Sequence, residues 1–191
     1  MEAFLTSTGI VAIAEIGDKT QLLAILLASK FRRPWAICAG IFAATVLNHL
    51  LAASFGTLVA AWIGPEVMRW VLGISFIAMG AWVLIPDKMD DDEAGTDKRR
   101  FGAFLTTTIA FFLVEMGDKT QIATVALGAR FDNLYLVTLG TTCGMMLANV
   151  PAVFLGEAAT RVVPLNIVRM VAAAIFVAIG AVTLVLPGLL G

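Results

Sequence analysis

Apolar residues run through this chain in six stretches, approximately 4–29, 35–62, 67–85, 103–129, 134–158 and 165–187. Each is close to or above the roughly 20 residues that a helix needs to cross the hydrocarbon core of a bilayer. The pattern predicts an all-α integral membrane protein with six transmembrane helices and no room for a separate soluble domain. One connection is long and polar: Pro86 to Arg100, with Asp90-Asp91-Asp92-Glu93 and Lys98-Arg99-Arg100. It divides the chain into a first three-helix unit (1–85), a charged linker (86–101) and a second three-helix unit (102–191). A solvated connection is the expectation for the linker, with an acidic metal-binding role as the alternative.

The polar interruptions within the stretches say one thing twice. Ala14-Glu15-Ile16-Gly17-Asp18-Lys19-Thr20-Gln21 returns one hundred residues later as Val114-Glu115-Met116-Gly117-Asp118-Lys119-Thr120-Gln121. At the same offset Phe4-Leu5-Thr6 matches Phe104-Leu105-Thr106, Gly40 and Gly56 match Gly140 and Gly156, and Arg69, Phe76 and Gly80 match Arg169, Phe176 and Gly180. Three helices per unit is an odd number, so the second unit enters the membrane from the opposite side. Inverted repeats of this kind build transporters whose substrate site lies near the midplane, between the halves. Duplication for stability alone would not explain why the best-preserved stretch is also the most charged.

Composition sharpens the class. The chain is 60% hydrophobic and 14% charged, with mean hydropathy +0.93, whereas soluble domains are nearer half apolar and a quarter charged. Cys38 and Cys143 lie inside apolar stretches without ligand spacing and read as small buried side chains. The amino terminus lacks a basic region and its apolar run contains Glu15 and Asp18, so a cleavable signal is not expected. With that terminus outside, the cytoplasmic side receives Lys30, Arg32, Arg33, Lys88, Lys98, Arg99, Arg100, Arg161 and Arg169, and the other side Arg69 and Arg130. Basic residues concentrate on the cytoplasmic flanks of membrane helices. Both termini are therefore expected outside.

On a continuous helix Glu15 and Asp18 share a face, as do Glu115 and Asp118, and Gln21 and Gln121 extend each stripe. Glu15 falls roughly 16 Å from Phe4 at 1.5 Å per residue, about mid-membrane. Charges at that depth are expensive, paired and functional. Gly17 and Gly117 let backbones approach closely or the helix unwind. Four carboxylates with Lys19 and Lys119 leave a charge of −2, which a divalent cation would balance, and hard divalent ions prefer oxygen ligands. Glu–Lys pairs acting as interhelical glue are the alternative, and they leave the aspartates without a role. Thr20 and Thr120 add hydroxyls. The second and fifth helices bring Thr45, Asn48 and His49, and Thr141, Thr142 and Asn149, to similar depth. Asn48 and Asn149 are candidate oxygen ligands. His49 has three roles open to it: nitrogen ligand, proton carrier or hydrogen-bonded core group. Met116, inside the motif, is the one methionine placed to face an ion.

The doubled Glu-x-Gly-Asp-Lys-Thr motif, in a six-helix chain split by a charged loop, resembles the family of Golgi, chloroplast and bacterial manganese/calcium cation exchangers, and within it the bacterial manganese exporters. The resemblance covers essentially the whole chain, and neither motif departs from the pattern. It implies a bacterial inner-membrane protein exporting Mn²⁺, or Ca²⁺ in some relatives, in exchange for protons, with Glu15, Asp18, Glu115 and Asp118 as cation ligands. The implied partners are a divalent ion, protons and lipid; no nucleic acid and no cofactor are called for, and homo-oligomerisation stays open. Rival readings are an exporter of a small organic cation or amino acid, and an intramembrane protease. A zinc protease would need H-E-x-x-H, which a single histidine excludes. An aspartyl protease built on Asp18 and Asp118 would leave both glutamates unexplained, so no enzyme is expected.

Overall fold

The computed structural model describes residues 1–85, 102–156 and 165–185. The expected linker 86–101, with Lys88, Lys98, Arg99 and Arg100, lies outside the described residues, as does Arg161. What is described is helical: α1 (Glu2–Glu15), α2 (Lys19–Phe31), α3 (Pro34–Trp62), α4 (Pro65–Val83), α5 (Gly102–Glu115), α6 (Lys119–Phe131), α7 (Leu134–Leu155) and α8 (Leu165–Val185). The second four repeat the first four in order, and the motif helices match in length, 14 residues in α1 and α5 and 13 in α2 and α6.

Helices α3, α4, α7 and α8 are long and apolar enough to cross a membrane. The stretches 4–29 and 103–129 are different. The apolar pattern predicts one helix for each, and each is two, broken inside the charged motif. The cause is local. Gly17 and Gly117 both take φ +81°, a left-handed conformation that ends a helix and that glycine adopts without steric cost. The next residue, Asp18 or Asp118, is extended and occupies the N-cap of the following helix, a position where aspartate is strongly preferred. Glu15 and Asp18 therefore do not share one helical face; a helix end and a helix start separate them.

Packing is between the repeats as much as within them. Helix α1 lies along α7 while α5 lies along α3; α2 touches α7 while α6 touches α3; and α4 pairs with α8. Glycines let these backbones meet. A methyl group at Gly40 would stand 2.7 Å from the Phe104 carbonyl, and one at Gly140 would stand 2.9 Å from Ser7 Cβ. In the α4–α8 pair, a methyl at Gly80 would meet the Ala173 carbonyl at 3.0 Å, and one at Gly180 the Gly73 carbonyl at 2.6 Å. Small residues at such crossings are how helices associate where no water drives them together. Phe76 stacks on its own repeat counterpart, Phe176, with ring centroids 6.2 Å apart. The outer face of α3 presents Trp35, Phe42, Leu47, Leu51, Phe55 and Trp62, all exposed, a surface suited to lipid rather than water. The interior, by contrast, holds buried Glu15, Thr20, Asn48, His49, Glu115, Thr120 and Asn149.

Candidate cation site

Both helix breaks deliver their charged side chains to this interior. Glu15 is the last residue of α1 and Glu115 the last of α5, so each carboxylate sits at a helix C-terminus, the negative end of the helix dipole. The glutamines of the motif hold the breaks in shape. Gln21 Oε1 accepts from the Gly17 amide at 3.0 Å, and Gln121 Oε1 accepts from the Gly117 amide at 2.7 Å. The other end of each glutamine reaches across to the opposite repeat. Gln21 Nε2 donates to the Ala148 carbonyl at 3.0 Å, and Gln121 Nε2 donates to Asn48 Oδ1. Residues 48 and 148 are repeat counterparts, so the two bonds are the same contact made once with a side chain and once with backbone.

One carboxylate oxygen each from Glu15, Glu115 and Asp118 can be chosen so that all three lie within 4.8 Å of one another, and all three residues are buried. Ligands bonded to one cation at about 2.0–2.6 Å are separated by at most twice that length, so this spacing suits joint ligation. Threonines from both motifs converge on Glu15. Thr20 Oγ1 donates to its Oε2 at 2.7 Å, and Thr120 Oγ1 donates to its Oε1. Neither oxygen of Glu115 has a hydrogen-bond partner. His49 Nε2 is 3.9 Å from Glu115 Oε1. Lys19 Nζ, only 18% exposed, is 3.7 Å from Asp118 Oδ1.

Asp18 is not part of this cluster. Its carboxylate accepts from the Thr20 amide and hydroxyl, both at 3.4 Å, and it lines a small cavity with Gly17, Val83, Lys119 and Arg169. Lys119 Nζ donates to the Ile85 carbonyl at 3.2 Å and stands 6.0 Å above the Trp82 ring. Arg169 donates to the Gly17 carbonyl at 3.5 Å. In the sequence Arg169 reads as a flanking charge, and its match to Arg69 at the motif's own offset is the one signal of this contact.

The remaining candidates divide. Asn48 serves Gln121 and donates to the Phe112 carbonyl at 3.5 Å. Asn149 donates to Met145 O at 3.1 Å, and its Oδ1 is buried with no partner. Thr141 is spent on its own helix, bonding the Val137 carbonyl at 2.9 Å, while the Thr142 hydroxyl is buried without a partner. Met116 is 56% exposed, so it is not the ion-facing residue its position suggested.

Residues 3–91 and 103–187 match the family profile described as "Divalent cation/proton antiporter GDT1". The chain is 48% identical over 184 residues, 96% of its length and 90% of the other's, to a Vibrio cholerae protein named "Putative manganese exporter". It is 29% identical over 174 residues to "GDT1-like protein sll0615" of Synechocystis, covering 82% of this chain and 84% of that one. "GDT1-like protein 5" of Arabidopsis thaliana is 25% identical over 228 residues, 98% and 97% of the two chains. No solved structure matches.

Proposed function

Because this chain belongs to the GDT1 family of divalent cation/proton antiporters, we propose that it exports Mn²⁺ from the cytoplasm across a bacterial inner membrane in exchange for protons. The observation that carries this reading is the meeting of Glu15, Glu115 and Asp118 from the two repeats, buried and within 4.8 Å. Three carboxylates with Lys19 beside Asp118 leave −2, the charge that one divalent ion neutralises. Broken helices whose C-terminal ends and freed carbonyls face a midplane cation are the recurring device of secondary transporters. Manganese rather than calcium is favoured by the name of the Vibrio cholerae relative.

The architecture proposed with it is six spans, α1–α2 and α5–α6 each forming one broken span. They make two inverted units, 1–85 and 102–191, joined by 86–101 in the cytoplasm, with both termini outside. The odd number of spans per unit and the nine-to-two distribution of basic residues support it. Labelling of Ala94→Cys from outside intact cells would defeat this topology.

Exchange follows if cation and protons compete for the same oxygens. Either one divalent ion or two protons neutralises the cluster, and a neutral site reorients without carrying bare charge through the hydrocarbon. The test is proteoliposomes loaded with Mn²⁺. An inward proton gradient is expected to drive Mn²⁺ out against its own gradient; flux indifferent to that gradient would leave a channel or uniporter.

A further inference from the structure

A carboxylate cluster alone does not say which divalent ion it prefers; the group beside it does. His49 is fully buried, and neither of its ring nitrogens has a hydrogen-bond partner. Buried imidazoles ordinarily bond through at least one nitrogen. Its Nε2 stands 3.9 Å from Glu115 Oε1, and Glu115 Oε1 is itself unpartnered. That separation is too long for a hydrogen bond. It is within reach of two atoms bonded to one ion, because bonds of about 2.0–2.6 Å allow ligand pairs up to about 4–5 Å apart. Two orphaned groups facing each other across such a gap are accounted for together by an ion between them.

The other repeat does not reproduce this arrangement. Asn149 stands at the counterpart position and offers an amide oxygen, likewise buried and unpartnered. The first motif supplies Glu15 and the second Glu115 and Asp118, all oxygen, and nitrogen enters from one side only. Imidazole suits first-row transition ions such as Fe²⁺, Ni²⁺ and Zn²⁺, whereas Ca²⁺ and Mg²⁺ take oxygen; Mn²⁺, the hardest of the transition ions, favours oxygen but has a nitrogen affinity that Ca²⁺ lacks.

We propose that His49 is a nitrogen ligand of the transported cation, and that it makes the site select first-row transition divalent ions over Ca²⁺ and Mg²⁺. This deepens the reading of Glu15, Glu115 and Asp118 as the cation site and rests on it.

The chain contains one histidine, so any imidazole signal reports His49 if the full-length protein is purified without a histidine tag. The experiment is pulsed electron paramagnetic resonance on bound Mn²⁺, with Mn²⁺ and Ca²⁺ affinities measured in parallel. The expected result is ¹⁴N imidazole modulation in the wild-type protein that vanishes in His49→Asn. In the same variant Mn²⁺ affinity falls about tenfold or more, at least the loss that follows replacement of a group one shell further out, and Ca²⁺ affinity falls less. Mn²⁺ bound in an Asp118-dependent way without nitrogen modulation would overturn the role of His49 and leave the carboxylate site standing. Failure of the wild-type protein to bind Mn²⁺ would defeat both. Should His49→Asn fail to fold, ¹⁵N-histidine labelling of the wild type decides alone: the modulation changes isotope or it is not histidine.

Discussion

From Gly17 to Gln21 and from Gly117 to Gln121 the two motifs are identical in sequence, yet they stand in different surroundings. Glu15 accepts a hydroxyl from each motif, Thr20 and Thr120; Glu115 accepts none and faces His49. Asp118 joins the cluster beside Lys19, while Asp18 caps α2 and lines a separate cavity near Arg169. The lesson is that identical ligands do not make equivalent ligands. The asymmetry is written into the long helices, where Asn48 and His49 face Ala148 and Asn149 as counterparts.

The largest expected effect tests whether the aspartates differ as their positions do. Asp118→Asn should weaken Mn²⁺ binding by about 100-fold or more, since it removes a charged ligand. Asp18→Asn should leave binding within about threefold and slow transport by about tenfold, because its carboxylate serves the helix start and not the cluster. Calorimetric titration read against proteoliposome flux separates the two effects. Equal losses of affinity in both variants would break the comparison.

A smaller effect sharpens it. Thr120→Val removes a hydroxyl that crosses from one repeat to the Glu15 of the other, and a hydrogen bond to a charged group is worth about 1.5–3 kcal/mol. Thermal unfolding in detergent should register the loss, and Thr20→Val should cost a similar amount because both hydroxyls end on Glu15. If both substitutions were silent, Glu15 would not be the shared acceptor.

The smallest expected difference is between the two glycines. Each stands at φ +81°, where a Cβ costs about 1–2 kcal/mol. Gly17→Ala and Gly117→Ala should therefore destabilise alike, within about 0.5 kcal/mol. A large gap would mean that one break is sustained by its surroundings rather than by its own backbone.

Much of this was legible in the residues. The offset of one hundred paired the elements, and the depth and charge of the motif singled out Glu15, Asp18, Glu115 and Asp118, three of which meet in the cluster. Hydropathy could not show the helix breaks, because a run such as 4–29 stays apolar on both sides of them. The signal was present in another form: Gly followed by Asp couples a residue that ends helices to one that starts them. The separation of Asp18 from the other three carboxylates was not legible, since it depends on how α4, α6 and α8 place Val83, Lys119 and Arg169 around it. Met116 misled because its position in the motif says nothing about which way a residue at a helix break points.

The contact of Phe76 with Phe176, flanked by the reciprocal approaches of Gly80 to Ala173 and Gly180 to Gly73, has a consequence in mass action. A residue that touches its own counterpart makes a self-complementary joint between two like units, because each side of the contact carries the same surface. As separate polypeptides such units would assemble only as fast and as fully as their concentration in the bilayer allowed. Covalent continuity turns that encounter into an intramolecular one, whose effective concentration no longer depends on how many copies are present. The buried cluster, which needs Glu15 from one unit and Glu115 and Asp118 from the other, is then complete in every copy of the chain, however few copies a cell makes.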